Sequence, residues 1–348
     1  MPRFGGHPHL PSYTVFVELT EDIVKRKFAM KVVPFPKSVL DNAEAETLIK
    51  IRTEFGNEKH IIKVLKIFTY EGKLHFIFPL AIGNLKAFMN DPWKHWPIDG
   101  QPTYMNTIWD EVVGVLKALA NFHKPQENSK WRGYHADIKR MYLVTRKAPP
   151  WGHLALTDAY NEATNILVFD DGRLVIADFG QAIITRKMGS GTTIRPPQQP
   201  GEQAYRPPEN STQTDMGHEY DDWAMGCVIL EILVFAAKGS KAVQQFRDAR
   251  QKPEYPSDYF YYNIRGVRSL HPEASKVLEG LEANAGFTKD VSKVVRAMLE
   301  IDPKQRINSD KASKDLQRSL TYWREQVSRG QTDGGNAPFG LSIPDEQP

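Results

Sequence analysis

The sequence predicts an α+β protein with its strands in the N-terminal part and mostly helices in the C-terminal part. Three observations carry that reading. Short strand-like runs fall before Pro79, an amphipathic helix spans 105–123, and from Tyr220 onward the pattern is helical, so the order is strands first and then mostly helices. The chain has 348 residues, 41% of them apolar and 25% charged, which is ample for the core of one large domain or of two lobes sharing a cleft.

Residues 13–19 and 27–33 read as strands with polar residues between them, a hairpin. Residues 41–51 carry Ala, Glu, Leu, Ile and Lys at helical spacing. Residues 61–68 and 73–78 form a second strand pair turned at Glu71-Gly72, and 105–123 an amphipathic helix. Residues 168–177 make a hairpin around Asp171-Gly172. From Tyr220 the pattern is helical, through Leu230 and again over 291–299. The apolar run 227–237, interrupted by Glu231, is too short to span a bilayer and reads as a buried core helix. After Ser328 the chain is rich in Gly, Pro, Asp and Gln, so 329–348 is expected to be a disordered tail.

A net charge of only +3 gives no support for a nucleic-acid or membrane partner. The single cysteine, Cys227, allows no internal disulfide and suits a reducing compartment, so an intracellular setting in cytoplasm or nucleus is expected. Residues 1–10 hold no apolar stretch of a secretory leader, no segment repeats, and no Cys/His cluster has zinc spacing.

Six short motifs occur in a fixed order. They are Phe28-Ala29-Met30-Lys31, His135-Ala136-Asp137-Ile138-Lys139 with a later Asn165-Ile166-Leu167, Asp178-Phe179-Gly180, Tyr205-Arg206-Pro207-Pro208-Glu209, Tyr220-Asp221-Asp222-Trp223-Ala224-Met225-Gly226, and Asp302-Pro303-Lys304-Gln305-Arg306. Each alone is weak. Together they resemble the protein kinase superfamily, in the serine/threonine pattern, and are most similar to fungal kinase-like proteins.

The resemblance implies a bilobal fold: a small β-rich N-lobe over 1–78, cut short at its start, a hinge over 79–83, and a larger helical C-lobe over 84–328 with an insertion near 140–163. It also implies ATP and Mg²⁺ as cofactors and a protein substrate. The oligomeric state is left open. Phosphoryl transfer needs a positioned hydroxyl and neutralised phosphate charge more than covalent help. Asp137 would then accept the hydroxyl proton, and Asp178 and Asn165 would hold the metal through oxygen. Lys31, in an apolar strand, needs a charged partner. The resemblance gives it the phosphates and a helix carboxylate, Glu44 or Glu46, with Glu44 preferred because Leu48 follows one turn later. Lys139 would help hold the γ-phosphate. Phe78, Leu80 and Ala81 would face adenine, Pro79 having no N–H to offer. Asp221 would receive catalytic-loop N–H groups, Glu209 and Arg306 would pair, and His135 would stack on Phe179.

The sequence departs from the family pattern in three places. No Gly-x-Gly-x-x-Gly precedes Lys31, only Phe4-Gly5-Gly6, so fewer backbone amides reach the phosphates. Either the chain starts inside that loop or the loop has degenerated. Asn165 stands 28 residues after Asp137 (165 − 137), where the pattern has about five. The extra stretch, with Pro149-Pro150-Trp151-Gly152, is an outward loop or a gene-model error. Ala136 replaces the usual Arg, which argues against control by activation-loop phosphorylation. Three functions fit: a serine/threonine protein kinase, a pseudokinase scaffold, and a small-molecule phosphotransferase, the last disfavoured by the Pro-Pro-Glu and Asp-x-Trp-x-x-Gly motifs.

Overall fold

A computed structural model of the chain describes residues 13–19, 26–34, 43–90, 104–124, 131–138, 165–186, 204–209, 217–253, 255, 258–283 and 286–330. The N-terminal part is a four-stranded antiparallel sheet, order β1-β2-β4-β3, of β1 (Tyr13–Leu19), β2 (Arg26–Pro34), β3 (Lys66–Tyr70) and β4 (Lys73–Pro79). β3 and β4 are joined by Glu71 and Gly72, both left-handed (φ 49° and 65°), the geometry that a two-residue hairpin needs to match strand twist. Lys31 on β2 is paired with Phe76 on β4. Cross-strand partners share a face, so Lys31 lies on the side where Phe76 packs with Leu48 and Ile51.

Those two residues belong to helix α1 (Ala43–Glu54). Its buried apolar residues, Leu48, Ile51 and then Phe55 just past its end, recur at three- and four-residue spacing and form one apolar stripe. Glu44 stands one turn before Leu48, at the sheet-facing start of that stripe.

The strand expected over 61–68 forms only from Lys66. Ile61, Ile62 and Val64 are buried, but their backbone turns elsewhere: Ile62 N–H donates to Ile176 O and Ile176 N–H to His60 O, both at 2.8 Å. A continuous apolar run fixes burial and not the strand partner.

The rest of the described chain is mainly helical. β5 (Gly83–Asn84) leads into α2 (Leu85–Asn90), capped by Asn84 Oδ1 accepting from Ala87 N–H at 2.9 Å. Then come α3 (Tyr104–His123), β6 (Trp131–Tyr134), β7 (Ile166–Val168), β8 (Leu174–Ile176) and β9 (Ile183–Arg186). They are followed by α4 (His218–Arg250), interrupted at Gly239, β10 (Tyr261–Ile264) and β11 (Val267–Leu270). The last three are α5 (Pro272–Glu282), α6 (Phe287–Met298) and α7 (Ser309–Ser328). Residues 223–236 of α4 are all buried, so the apolar run around Cys227 is the central core helix.

Two strand pairs stand where the sequence gives no strands. β6 pairs with β9, and β10 with β11, both antiparallel. The first has consequences for the site. It ties Tyr134, just before His135, to Ile183, just after the Asp178-Phe179-Gly180 segment. The β7–β8 hairpin does the same for Asn165 and Asp178, which flank its ends. Phe4-Gly5-Gly6, Lys139, the 140–163 stretch and the tail over 331–348 lie outside the described residues.

Candidate active site

Lys31 links the N-terminal sheet to the segments beyond it. Its Nζ lies 2.7 Å from Glu44 Oε1 and 3.4 Å from Asp178 Oδ1. Burial pulls the ammonium's pKa down, but the carboxylates of Asp178 and Glu44 outweigh it and raise the pKa above its ordinary value. Lys31 is therefore a fixed positive charge at neutral pH. Glu46 faces Lys50 instead, at 4.0 Å on the exposed side of α1.

Asp178 sits in the left-handed region (φ 61°), as does Ala136 (φ 65°). Non-glycine residues there carry a cost of about 1–3 kcal/mol and need the surroundings to hold them. For Ala136 the holder is Asp221, fully buried at the start of α4. Its Oδ2 accepts from His135 N–H at 2.7 Å and its Oδ1 from Ala136 N–H at 2.8 Å. His123 Nε2 lies 3.0 Å from the same Oδ2. Burial pushes the Asp221 carboxyl up, yet His123, and then His135 through its ring and its backbone N–H, hold it below the usual carboxylate range. His123 is a positioning residue that sequence reasoning missed. It is the last residue of α3, and no pattern links it to a residue 98 positions away.

His135 reaches the other way. Its Nε2 lies 2.9 Å from Ala177 O, and its ring meets Phe179 edge-on at 4.7 Å. Asn165 closes the group. Its Nδ2 donates to Asp137 O and to Asp137 Oδ2, the latter at 3.1 Å, while its backbone carbonyl accepts from Ala177 N–H at 2.8 Å. Asp137 and Asn165 are thus adjacent despite their sequence separation, and Asn165 is bonded to Ala177, the residue before Asp178. Gly180 lies against this group: a Cβ there would be in ordinary van der Waals contact with Asp178 Oδ1 at 3.4 Å and with the Glu44 carboxylate at 3.7 Å.

The donor set suits a hard cation. Asp178 offers a part-exposed carboxylate, and Asn165 Oδ1 is buried with no hydrogen-bond partner. An orphaned buried amide oxygen is costly, and a divalent ion held by oxygen would satisfy it.

Phe78, Leu80 and Ala81 form the end of β4 and the segment after it, and all three are half-buried. Ile82 N–H donates to Val168 O at 2.9 Å, tethering that segment to β7. Farther off, Arg306 grips Glu209 at 2.6 and 3.0 Å and lies over the Trp223 ring at 5.0 Å. Lys139 is not among the described residues.

A family model described as the protein kinase domain matches residues 162–316. Among curated proteins the chain is similar to cyclin-dependent kinase D-1 of Oryza sativa subsp. indica, 27% identical over 282 residues, covering 76% of this chain and 54% of that protein. Mitogen-activated protein kinase kinase kinase 20 of Arabidopsis thaliana is 37% identical over 165 residues, 47% of this chain and 36% of that protein. A probable cyclin-dependent serine/threonine-protein kinase of Dictyostelium discoideum is 27% identical over 163 residues, 43% of this chain and 24% of its own length. The chain spans about half the length, or less, of the curated relatives it matches.

Proposed function

The chain belongs to the protein kinase superfamily, serine/threonine type, and from that premise we propose that it transfers the γ-phosphoryl group of Mg-ATP to serine or threonine hydroxyls of a protein substrate. In this reading residues 1–78 are the small lobe, 79–83 the hinge and 84–328 the large lobe, with the nucleotide between them. The single observation that carries it is the joint placement of five polar side chains, Lys31 with Glu44 and Asp178, and Asp137 with Asn165.

Lys31 presents its charge to the nucleotide's phosphates, and Glu44 keeps its ammonium from collapsing onto Asp178. Asp178 and Asn165 hold Mg²⁺, which when bound neutralises phosphate charge. Asp137, steadied by Asn165, orients the acceptor hydroxyl and takes its proton. Leu80 and Ala81 offer backbone groups to the purine edge, beside Phe78. Lys139 would add a charge to the γ-phosphate. The acceptor class is supported by the relatives' own names, one of which reads serine/threonine-protein kinase.

A second reading, a nucleotide-binding scaffold with little or no catalysis, is favoured by one feature: no Gly-x-Gly-x-x-Gly precedes Lys31. Melting curves with and without Mg-ATP, paired with phosphate transfer to a serine- and threonine-containing protein, separate the two. A ligand that binds only the native state raises stability by RT ln(1 + [L]/Kd). Kinase function predicts a thermal shift and transfer, both lost in Asp178→Asn. A shift without transfer selects the scaffold. Neither shift nor transfer in the full chain contradicts the assignment of a nucleotide site.

A further inference from the structure

We propose that His123, His218 and Asp222 form a second cation site, for a borderline transition metal of the Zn²⁺ kind, distinct from the proposed magnesium site and independent of the kinase reading. One donor atom from each residue lies within 4.8 Å of the other two. His218 and Asp222 stand four residues apart in the first turns of α4, so their side chains share one helix face. His218 Nδ1 is 2.9 Å from Asp222 Oδ2, and His123 approaches from the end of α3 with Nδ1 4.0 Å from Asp222 Oδ1.

The tautomer of His123 makes this more than a hydrogen-bond ladder. Its Nε2 faces Asp221 Oδ2, an oxygen that already accepts His135 N–H. A carboxylate only accepts, so Nε2 carries a proton, and in the neutral ring that a metal binds Nδ1 presents the lone pair. That lone pair faces a carboxylate oxygen, acceptor toward acceptor, at a distance too long for a hydrogen bond. An ion at about 2.0–2.2 Å from each atom spans the gap.

The surroundings are those of a ligand set with an outer shell. Asp221 fixes the ring of His123 in the manner of a carboxylate–histidine–metal relay. Ser309 fixes the Asp222 carboxylate, donating to Oδ1 from its N–H at 2.8 Å and from its hydroxyl. The side chains of His123 and Asp222 are 5% and 1% exposed, whereas His218 is 41% exposed and gives a way in and room for a water as fourth ligand. Two imidazoles and one carboxylate suit Zn²⁺ or Co²⁺ and not Mg²⁺ or Ca²⁺, which prefer oxygen alone.

Titration of the metal-free full chain with Co²⁺, read by its visible absorption, tests the site, with His218→Gln and His218→Ala as variants and circular dichroism as the check on folding. The inference predicts saturation of a low-coordinate Co²⁺ band in the wild type, displaced by Zn²⁺ and untouched by millimolar Mg²⁺. Affinity should fall by more than about tenfold in whichever folded His218 variant is measured. No uptake by the wild type, or uptake unchanged in a folded His218 variant, would overturn it.

Discussion

Two carboxylate–cation clusters in this molecule serve opposite ends. Lys31 with Glu44 and Asp178 is part-exposed, its three side chains retaining 25%, 20% and 36% of their free surface, and its second contact is loose at 3.4 Å. Glu231 inside α4 is fully buried between Arg247 and Arg250, themselves 4% and 0% exposed. Each Glu231 oxygen is met twice: Oε1 by Arg247 Nε and Arg250 Nη2, Oε2 by Arg247 Nη2 and the Tyr205 hydroxyl, at 2.9–3.4 Å. The Arg250 guanidinium also lies 3.7 Å from the Phe260 ring centroid. Both oxygens of the buried Glu231 are saturated, and that cluster has no solvent-reachable charge to offer a ligand. The other keeps a solvent-reachable charge that can trade one partner for another. Full pairing and burial mark the structural cluster, and looser pairing with access to water marks the one proposed for chemistry.

The largest effect that would break this contrast is Glu231→Ala. Removing one partner leaves two buried guanidinium groups uncompensated, and the loss of stability should be on the order of 3–5 kcal/mol. Chemical denaturation should show it as a fall in midpoint, and a loss below about 1 kcal/mol would mean that the network is not what holds α4.

Lys31→Met should do the reverse. Phosphoryl transfer should drop by roughly 10²–10³-fold, the scale of one lost donor to developing charge, while stability shifts by no more than about 1 kcal/mol because the pair is part-exposed. A variant that unfolds without first losing transfer would erase the difference between the two clusters.

The pH dependence sharpens the comparison from the buried side. His271, fully buried beside Arg250, is held neutral: burial and then the Arg250 charge lower its pKa to about 4. Unfolded, it titrates near 6.5. Its folded value is depressed, so the unfolded chain binds the proton first as pH falls. Stability is therefore full above about 6.5 and declines toward pH 4, by on the order of 3 kcal/mol from this group. Urea midpoints at pH 7 and pH 4.5 should differ less in His271→Asn, which keeps a side-chain acceptor for Glu273 N–H. An unchanged difference would assign the acid sensitivity to other groups.

The smallest effect is a matched pair. Glu44→Gln should weaken transfer, whereas Glu46→Gln on the same helix should leave transfer and stability within about 0.5 kcal/mol of wild type. Equal effects would show that α1 contributes a general negative field and not one placed carboxylate.

How much of this was legible in the sequence follows from the range of the interactions involved. The helix over 105–123 and the first hairpin follow from local periodicity, and their observed bounds differ from the reading by a residue or so. The spacing of Glu44 from Leu48 favours it over Glu46, a local argument about one helix face. β6 and β9 escaped because they are four residues each and some 50 apart, so nothing nearby marks either as a strand. β10 and β11 had a usable signal in Arg265-Gly266, a left-handed pair (φ 52° and 86°) flanked by alternating residues, which the surrounding helical pattern masked. Glu231 reads in sequence as an interruption of an apolar run, and its partners Arg247, Arg250 and Tyr205 come from other turns of α4 and from a separate segment. His123 has no local signal, since its role exists only through Asp221.

The most direct test of the central claim, that Asp137 and its neighbours form a phosphoryl-transfer site, is the incorporation of label from γ-labelled Mg-ATP into a serine- and threonine-containing protein by the wild type and by Asp137→Asn. The account predicts transfer by the wild type and a fall of roughly 10²–10⁴-fold in the variant, the contribution of a general base, with nucleotide binding retained. Equal incorporation by both proteins would contradict it.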